Sequence, residues 1–137
     1  MSPDVYNLCD WSIENIDFDE YLCLSIYSDK NNQDITSLNP VLVTEHTNFN
    51  ALGYLTTSKN WKRIIQPAFH AHESGWDFAI AGIAGSYKLA APELSRSKHI
   101  GLYHGVHYLR EEHDKIYLNN PFNETKIKKA DYVWNKQ

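Results

Sequence analysis

Cysteine is scarce in this chain of 137 residues, which contains only Cys9 and Cys23. Two cysteines do not make the disulfide framework that is typical of small secreted domains. No apolar run approaches the roughly 18 residues that a membrane-spanning helix needs. The first residues also lack the basic and apolar regions of a signal peptide. We therefore expect a cytoplasmic protein with no membrane partner.

Positive charge is scarce as well, because 13 lysines and arginines stand against 17 aspartates and glutamates, for a formal net charge of -4. Nucleic-acid-binding domains usually carry a basic face, so we expect no nucleic-acid partner. The hydrophobic content of 42% and charged content of 22% are typical of a globular protein. No linker or internal repeat divides the sequence, which indicates a single domain over residues 1–137.

Alternation of apolar and polar residues favours strands over most of the chain. The alternation is clearest at residues 22–27 and 76–81, and short β-rich runs occur at 41–45 and 51–57. The pattern also predicts strands at residues 61–65, 69–72, 99–110 and 115–119. Only residues 14–21 and 125–133 have helical character. Many short strands separated by turns predict an all-β sandwich or barrel.

The most informative segment is FHAHESGWDFAIAGIAG, residues 69–85. Because side chains alternate along a strand, His70 and His72 are expected on the same face. A hairpin at residues 74–75 would bring Asp77 to that face, and the two alanines that follow it there would leave space for a ligand. The segment thus predicts a cavity with two imidazoles and a carboxylate, groups that bind metals or transfer protons.

These residues resemble a pattern of the cupin double-stranded β-helix: His70 and His72, then Asp77, a glycine, and His107 on a later strand. The string FHAH is similar to the nucleotide-linked sugar 3,4-ketoisomerases, the WxcM-like branch of that superfamily. The segments LVTEHTN (residues 42–48) and NPFNETKIKKADYVW (residues 120–134) resemble further parts of the branch. Residues 1–34 have no counterpart there, and Pro67-Ala68 replaces its Arg-Gly. The resemblance implies a small all-β barrel with one or two short helices.

The same resemblance implies an enzyme of carbohydrate biosynthesis, an isomerase or related epimerase that acts on a nucleoside-diphosphate-linked keto-deoxysugar. Proton transfer would need a base and an acid near neutral pKa, which imidazole supplies. The catalytic residues would be His70 as the base, His72 and Tyr54, and the substrate-binding residues would be Asp77, Arg63 and His107. No cofactor is implied. Sheet edges and a tryptophan-rich surface further predict a homodimer.

Two alternatives remain open at this stage. In the first, His70, His72, Asp77 and His107 bind a divalent transition metal such as Fe(II), Zn(II) or Mn(II) for oxygenase or lyase chemistry. In the second, the chain is a cupin that binds a sugar without catalysis. Metal analysis of the purified protein would separate the first alternative from the other two interpretations.

Overall fold

A computed structural model describes residues 1–28, 35–47, 49, 53–71, 76–97 and 122–136, with the side chains of all of these except residues 35, 76 and 77. The described residues form four α-helices and a sheet of five strands. The helices are α1 (Val5–Asn15), α2 (Ser58–Asn60), α3 (Gln66–Ala71) and α4 (Trp76–Ala84). The strands are β1 (Tyr21–Ser25), β2 (Leu42–His46), β3 (Tyr54–Leu55), β4 (Lys88–Pro92) and β5 (Val133–Asn135).

The sheet is mixed, with the strand order β3-β1-β4-β2-β5. The neighbouring inner strands β1 and β4 are parallel, and Leu24 pairs with Ala90. β2 is antiparallel to β4, β3 is antiparallel to β1, and β5 is parallel to β2. Because β1 and β4 run in the same direction, their carboxyl ends meet at one edge of the sheet.

Helices cover both faces of the sheet. On one face, Leu8 and Trp11 of α1 pack with Leu24 of β1 in a buried cluster that also includes Tyr132. On the other face, Ile65 and the α4 residues Ile80 and Ala84 pack against Leu22 and Leu89 of the sheet. All five residues of β1 are consequently buried, as expected for a strand that is covered on both faces.

The prediction of an all-β fold is wrong, because the described residues form a mixed α/β structure in which the sheet lies between helical layers. The segment that carries FHAH is helical up to Ala71: α2, a π-helical turn at Trp61–Ile65, and α3 follow one another without a break. We call residues 58–71 the helical segment. The π-helical turn ends just before Gln66-Pro67, where proline cannot donate the next helical hydrogen bond.

The strand predictions were correct for the first part of the chain and wrong for the middle. β1, β2 and β3 lie where alternation predicted strands, although β1 is buried on both faces. Residues 61–65 and 76–81 are helical, and the helix predicted at residues 14–21 lies earlier, in α1. Residues 125–133 contain a 3-10 turn at Lys129–Asp131 and the start of β5. The strands predicted at 99–110 and 115–119 lie outside the described residues.

Within the described ranges, none of the helices combines the length and the apolar character that crossing a membrane requires.

Candidate ligand site at the carboxyl ends of the parallel strands

The carboxyl ends of β1 and β4 lie side by side. The chain segments that follow these two strands also pair with each other. The backbone amide of Arg96 donates to the carbonyl of Ile26 at 2.7 Å, which extends the parallel pairing past the last strand residues. In open α/β sheets, ligands bind in the crevice outside the carboxyl ends of the strands. This edge, which we call the carboxyl edge, is therefore the candidate ligand site.

The same serine turn follows each of the two parallel strands. At the end of β1, Ser25 Oγ donates to the carbonyl of Tyr27 at 2.9 Å and accepts from its amide at 3.3 Å. After β4, Ser95 Oγ donates to the carbonyl of Ser97 at 2.7 Å and accepts from its amide at 3.4 Å. All four residues are buried. Short serine side chains compete well for backbone groups in this way, so each turn fixes the exit direction of its strand.

The hydroxyl of Ser97 differs from those of Ser25 and Ser95. Its Oγ atom is buried but has no hydrogen-bond partner among the residues that the structure describes. A buried hydroxyl that lacks a partner costs about 1–3 kcal/mol, so such groups are rare and call for an explanation. A bound polar molecule at the carboxyl edge would provide one.

Beside the Ser97 turn lies a fully buried ion pair. Arg96 Nε donates to Asp4 Oδ2 at 2.9 Å, and both side chains have no exposed surface. The guanidinium also donates to the backbone carbonyls of Leu94 and Pro40. Because Arg96 stands between Ser95 and Ser97, this anchoring holds the second serine turn in place.

Three further side chains complete the network around Asp4. Tyr132 Oη donates to Asp4 Oδ2, while Ser2 Oγ and Asn123 Nδ2 donate to Oδ1, the amide at 3.0 Å. We call these five residues (Ser2, Asp4, Arg96, Asn123 and Tyr132) the Asp4 network. Asp4 is also the N-cap residue of α1, yet its side chain makes no capping hydrogen bond, since the network uses its oxygens.

The network keeps Asp4 ionised. Burial acts to raise the pKa of Asp4, but the hydrogen bonds from Ser2 and Tyr132 and the positive charge of Arg96 outweigh it, so the pKa is lowered. Burial and the hydrogen bond to Asp4 raise the pKa of the Tyr132 phenol, which therefore stays a donor. The charges of Asp4 and Arg96 cancel, so the Asp4 network contributes no net charge to the carboxyl edge.

We expect the lowered pKa of Asp4 to make folding stability depend on acid. Because the folded pKa lies below the unfolded value of about 4, the unfolded chain binds the proton first as the pH falls. The stabilisation from Asp4 is then complete above that unfolded value and is lost as the pH falls through the folded pKa. Urea unfolding of the wild type and Asp4→Asn between neutral pH and acid measures this, and the difference between them should shrink in acid. Parallel pH profiles would contradict the assignment.

Of the residues predicted as catalytic, His70 and Tyr54 lie outside this site. His70 lies on α3, not on a strand, and is exposed, with its ring 5.6 Å from that of Phe69. Tyr54 is on β3 and lines a small apolar groove together with Trp61, Ile65, Phe69 and Ile80. Burial raises the pKa of the Tyr54 phenol. Neither side chain is among the residues of the serine turns or the Asp4 network.

Among the predicted substrate-binding residues, Arg63 also lies outside the serine turns and the Asp4 network. Arg63 is exposed on the π-helical turn and lines a different pocket of about 330 Å³ with Asp19, Lys59, Asn60 and Ile64. Asp77 falls in the first turn of α4 instead of a strand. His72 and His107 lie outside the described residues. The placement of the imidazole and carboxylate side chains on one strand face is therefore wrong for His70 and Asp77, whose backbone is helical.

Among the described residues, no three histidine, cysteine, aspartate or glutamate side chains come together in a way that could hold a metal ion. The described part of the chain therefore contains no assembled metal site, and the predicted ligand set includes His72 and His107, which it does not cover.

Comparison with known proteins found no protein-family model that matches the chain and no curated protein with significant similarity. The assignment of a site consequently depends on geometry alone. Sequence reasoning missed the serines at the carboxyl edge and the Asp4 network. A signal was present, since the run LAAP, residues 89–92, has no charged residue and is followed within three residues by Ser-Arg-Ser.

Proposed function

We propose that this protein binds a small hydroxylated ligand of the sugar class, free or linked to a nucleotide, at the carboxyl edge of its sheet. The observation that carries the proposal is the buried Ser97 hydroxyl, which has no partner among the described residues and follows a parallel strand at its carboxyl end. A ligand hydroxyl can both donate to and accept from such a group.

The Asp4 network adds no net charge at this edge, which favours a ligand that binds there through an uncharged group. Arg96 is fully buried and is neutralised by Asp4, so its guanidinium is not free to bind a phosphate. Ser25 and Ser95 present polar atoms that are already held in place by their turns. Preorganised neutral hydroxyls suit sugar hydroxyls, because binding then requires little reordering of the site.

Binding can be tested by calorimetry with D-glucose, UDP-glucose and UDP as three probes. The proposed contacts are to the sugar. If the ligand is a nucleotide-linked sugar, we expect UDP-glucose to bind more tightly than UDP. If the ligand is a free sugar, we expect glucose to bind without a nucleotide. Equal affinity for UDP and UDP-glucose together with no binding of glucose would contradict the proposal, as would the absence of binding by all three.

Two serine variants separate the role of Ser97 from that of its turn. Ser97→Ala should weaken sugar binding by about 3- to 10-fold, the contribution of one hydrogen bond, and should raise the free energy of unfolding of the ligand-free protein by about 1–3 kcal/mol, because it removes a buried hydroxyl that has no partner among the described residues. The matched control Ser95→Ala should lower the free energy of unfolding by about 1 kcal/mol, because it removes the bond to the Ser97 carbonyl. Urea unfolding and calorimetry measure the two effects. If Ser97→Ala binds sugar like the wild type, Ser97 does not contact the ligand.

Isomerisation of a nucleotide-linked keto-sugar by His70 and His72 stays a prediction from the sequence, as does a cytoplasmic location. Its test is direct, since proton removal next to a carbonyl would introduce solvent deuterium into the sugar. A chain that binds the sugar but exchanges no deuterium would be a sugar-binding protein without this activity.

A further inference from the structure

A pocket at the amino end of β1 lies apart from the sugar site. It has a volume of about 330 Å³ and is lined by Asp19, Lys59, Asn60, Arg63 and Ile64. Pockets that bind small molecules usually measure about 300–1,000 Å³, so this one has room for a small ligand. Asp19 stands just before β1 in the chain, whereas the carboxyl edge lies beyond the other end of that strand. We call it the Arg63 pocket.

The lining of the Arg63 pocket carries one net positive charge. Lys59 Nζ is 2.5 Å from Asp19 Oδ1, so these two charges compensate each other. Arg63 is exposed, and its guanidinium has no hydrogen-bond or ion-pair partner among the described residues. A guanidinium presents paired N–H donors that match the two oxygens of a carboxylate. The pocket therefore favours a ligand with a single negative charge.

Asn60 supplies a hydrogen-bond acceptor to the same pocket. Its side chain is almost fully buried, and Nδ2 donates to the backbone carbonyls of Phe18, Tyr21 and Leu22 at 2.8, 3.1 and 3.2 Å. Because all three partners are acceptors, the amide nitrogen must face them, which fixes the orientation of the carboxamide. The Oδ1 atom is turned away from these carbonyls and accepts no hydrogen bond from the described residues. It is the polar atom of Asn60 that remains for a ligand with an N–H or O–H group.

The helical segment holds these two groups close together. Asn60 and Arg63 are three residues apart, a spacing that makes side chains neighbours on a helix surface. The hydroxyl of Thr57 accepts from the Asn60 amide at 3.1 Å and so caps the segment at its start. Arg63 lies on the π-helical turn, a form that is rare and frequent at functional sites. An acceptor and a cation are thus held side by side, within reach of one small molecule.

We propose that the Arg63 pocket binds a small hydroxycarboxylate, whose carboxylate accepts from the Arg63 guanidinium and whose hydroxyl donates to Asn60 Oδ1. A neutral hydroxyl suits this position better than an ammonium group, because the lining already carries one net positive charge. Ile64 provides an apolar contact for the carbon skeleton. The proposal does not depend on the sugar site at the carboxyl edge.

Three ligands with the same three-carbon skeleton test the proposal: L-lactate, propionate and L-alanine, each titrated into the full chain and followed by NMR. We expect L-lactate to bind most tightly. Propionate lacks the hydroxyl and should bind about 3- to 10-fold more weakly, the contribution of one hydrogen bond. L-alanine should also bind more weakly, because its ammonium adds a positive charge. Propionate or L-alanine binding as tightly as L-lactate would overturn the proposal, as would no binding by any of the three.

A pair of variants at neighbouring positions tests the part played by Arg63. Arg63→Gln should weaken L-lactate binding about 10- to 100-fold, because it removes hydrogen bonds between charged groups. Lys62→Gln is the matched control, since Lys62 is also exposed and unpaired among the described residues but does not line the pocket. This variant should bind within about twofold of the wild type, because salt screens the more distant charge. Equal effects of the two substitutions would show that only overall charge matters and would overturn the proposal. Circular dichroism confirms that both variants are folded.

Discussion

Replacing Asp4 by asparagine is expected to lower the free energy of unfolding by about 3–5 kcal/mol, the usual cost of leaving one partner of a buried ion pair alone. Asparagine keeps the size of the side chain but removes the charge that compensates Arg96, which has no exposed surface. The amide would also place a donor where Tyr132 or Arg96 now donates to the carboxylate. Because whole domains are stable by only about 5–15 kcal/mol, this change should be visible in urea or thermal unfolding.

The double variant Asp4→Asn/Arg96→Met provides the control. It removes both charges, so its unfolding free energy should exceed that of Asp4→Asn alone. Tyr132→Phe should cost less than Asp4→Asn, about 1.5–3 kcal/mol, since it deletes one hydrogen bond to a charged group. If Asp4→Asn costs no more than Tyr132→Phe, or the second substitution restores nothing, the ion pair is not what stabilises this network.

Replacing Gly53 by alanine is expected to cost about 2–4 kcal/mol, through backbone strain and overpacking together. Gly53 has a φ angle of 124°, which residues with a Cβ atom rarely adopt. An added Cβ would also lie 2.6 Å from Ile26 Cδ1 and 2.7 Å from Ile26 Cγ1. Ile26 is buried and β-branched, so its Cγ1 atom cannot turn away easily. The Gly53 carbonyl accepts a hydrogen bond from the Ile26 amide at 3.0 Å, and this bond joins the chain after β1 to the chain before β3. The strain would act at this connection.

The same substitution at Gly82 is the control and should have the opposite sign. Gly82 is inside α4, and an added Cβ there meets no neighbouring atom. Alanine is favoured over glycine in a helix interior by about 0.5–1 kcal/mol, so Gly82→Ala should raise the free energy of unfolding. Urea unfolding of both variants measures the contrast. Equal effects at the two positions would show that neither the φ angle nor the contact with Ile26 matters.

Sequence patterns predicted the first strands well because Leu22, Leu24 and Ile26 stand at every second position and β2 contains Val43 and Thr44, which have strong strand preference. The same sequence patterns failed for the helical segment and α4, because a short apolar run fits both the repeat of a strand and the repeat of a helix. Trp76, Phe78 and Ile80 alternate as in a strand, yet Ile80 and Ala84 are also four residues apart, as on one face of a helix. The strand repeat puts His70 and His72 on one face, so the error in secondary structure also produced an error in the predicted site.

The candidate site could not be read from the sequence for a different reason. The Asp4 network joins Ser2 and Asp4 to Arg96, Asn123 and Tyr132, and no local pattern marks residues that meet from such separate parts of a chain. The two serine turns are local, but serine after a strand is common in any loop. Only the tertiary arrangement shows that both turns lie at the same edge and that the Ser97 hydroxyl is buried there.

The Asp4 network also sets the order in which this domain can be completed during synthesis. The hydrogen bond from Tyr132 to Asp4 spans 128 positions, so it cannot form until nearly all of the described chain has left the ribosome. Until then α1 can fold against β1, but the carboxylate at its start lacks three of its side-chain donors, from Arg96, Asn123 and Tyr132. Contacts between such distant positions form slowly, because the intervening chain must be closed into a loop first. The start of α1 is consequently fixed in its final hydrogen-bond network only at a late stage of synthesis, after Tyr132 has emerged.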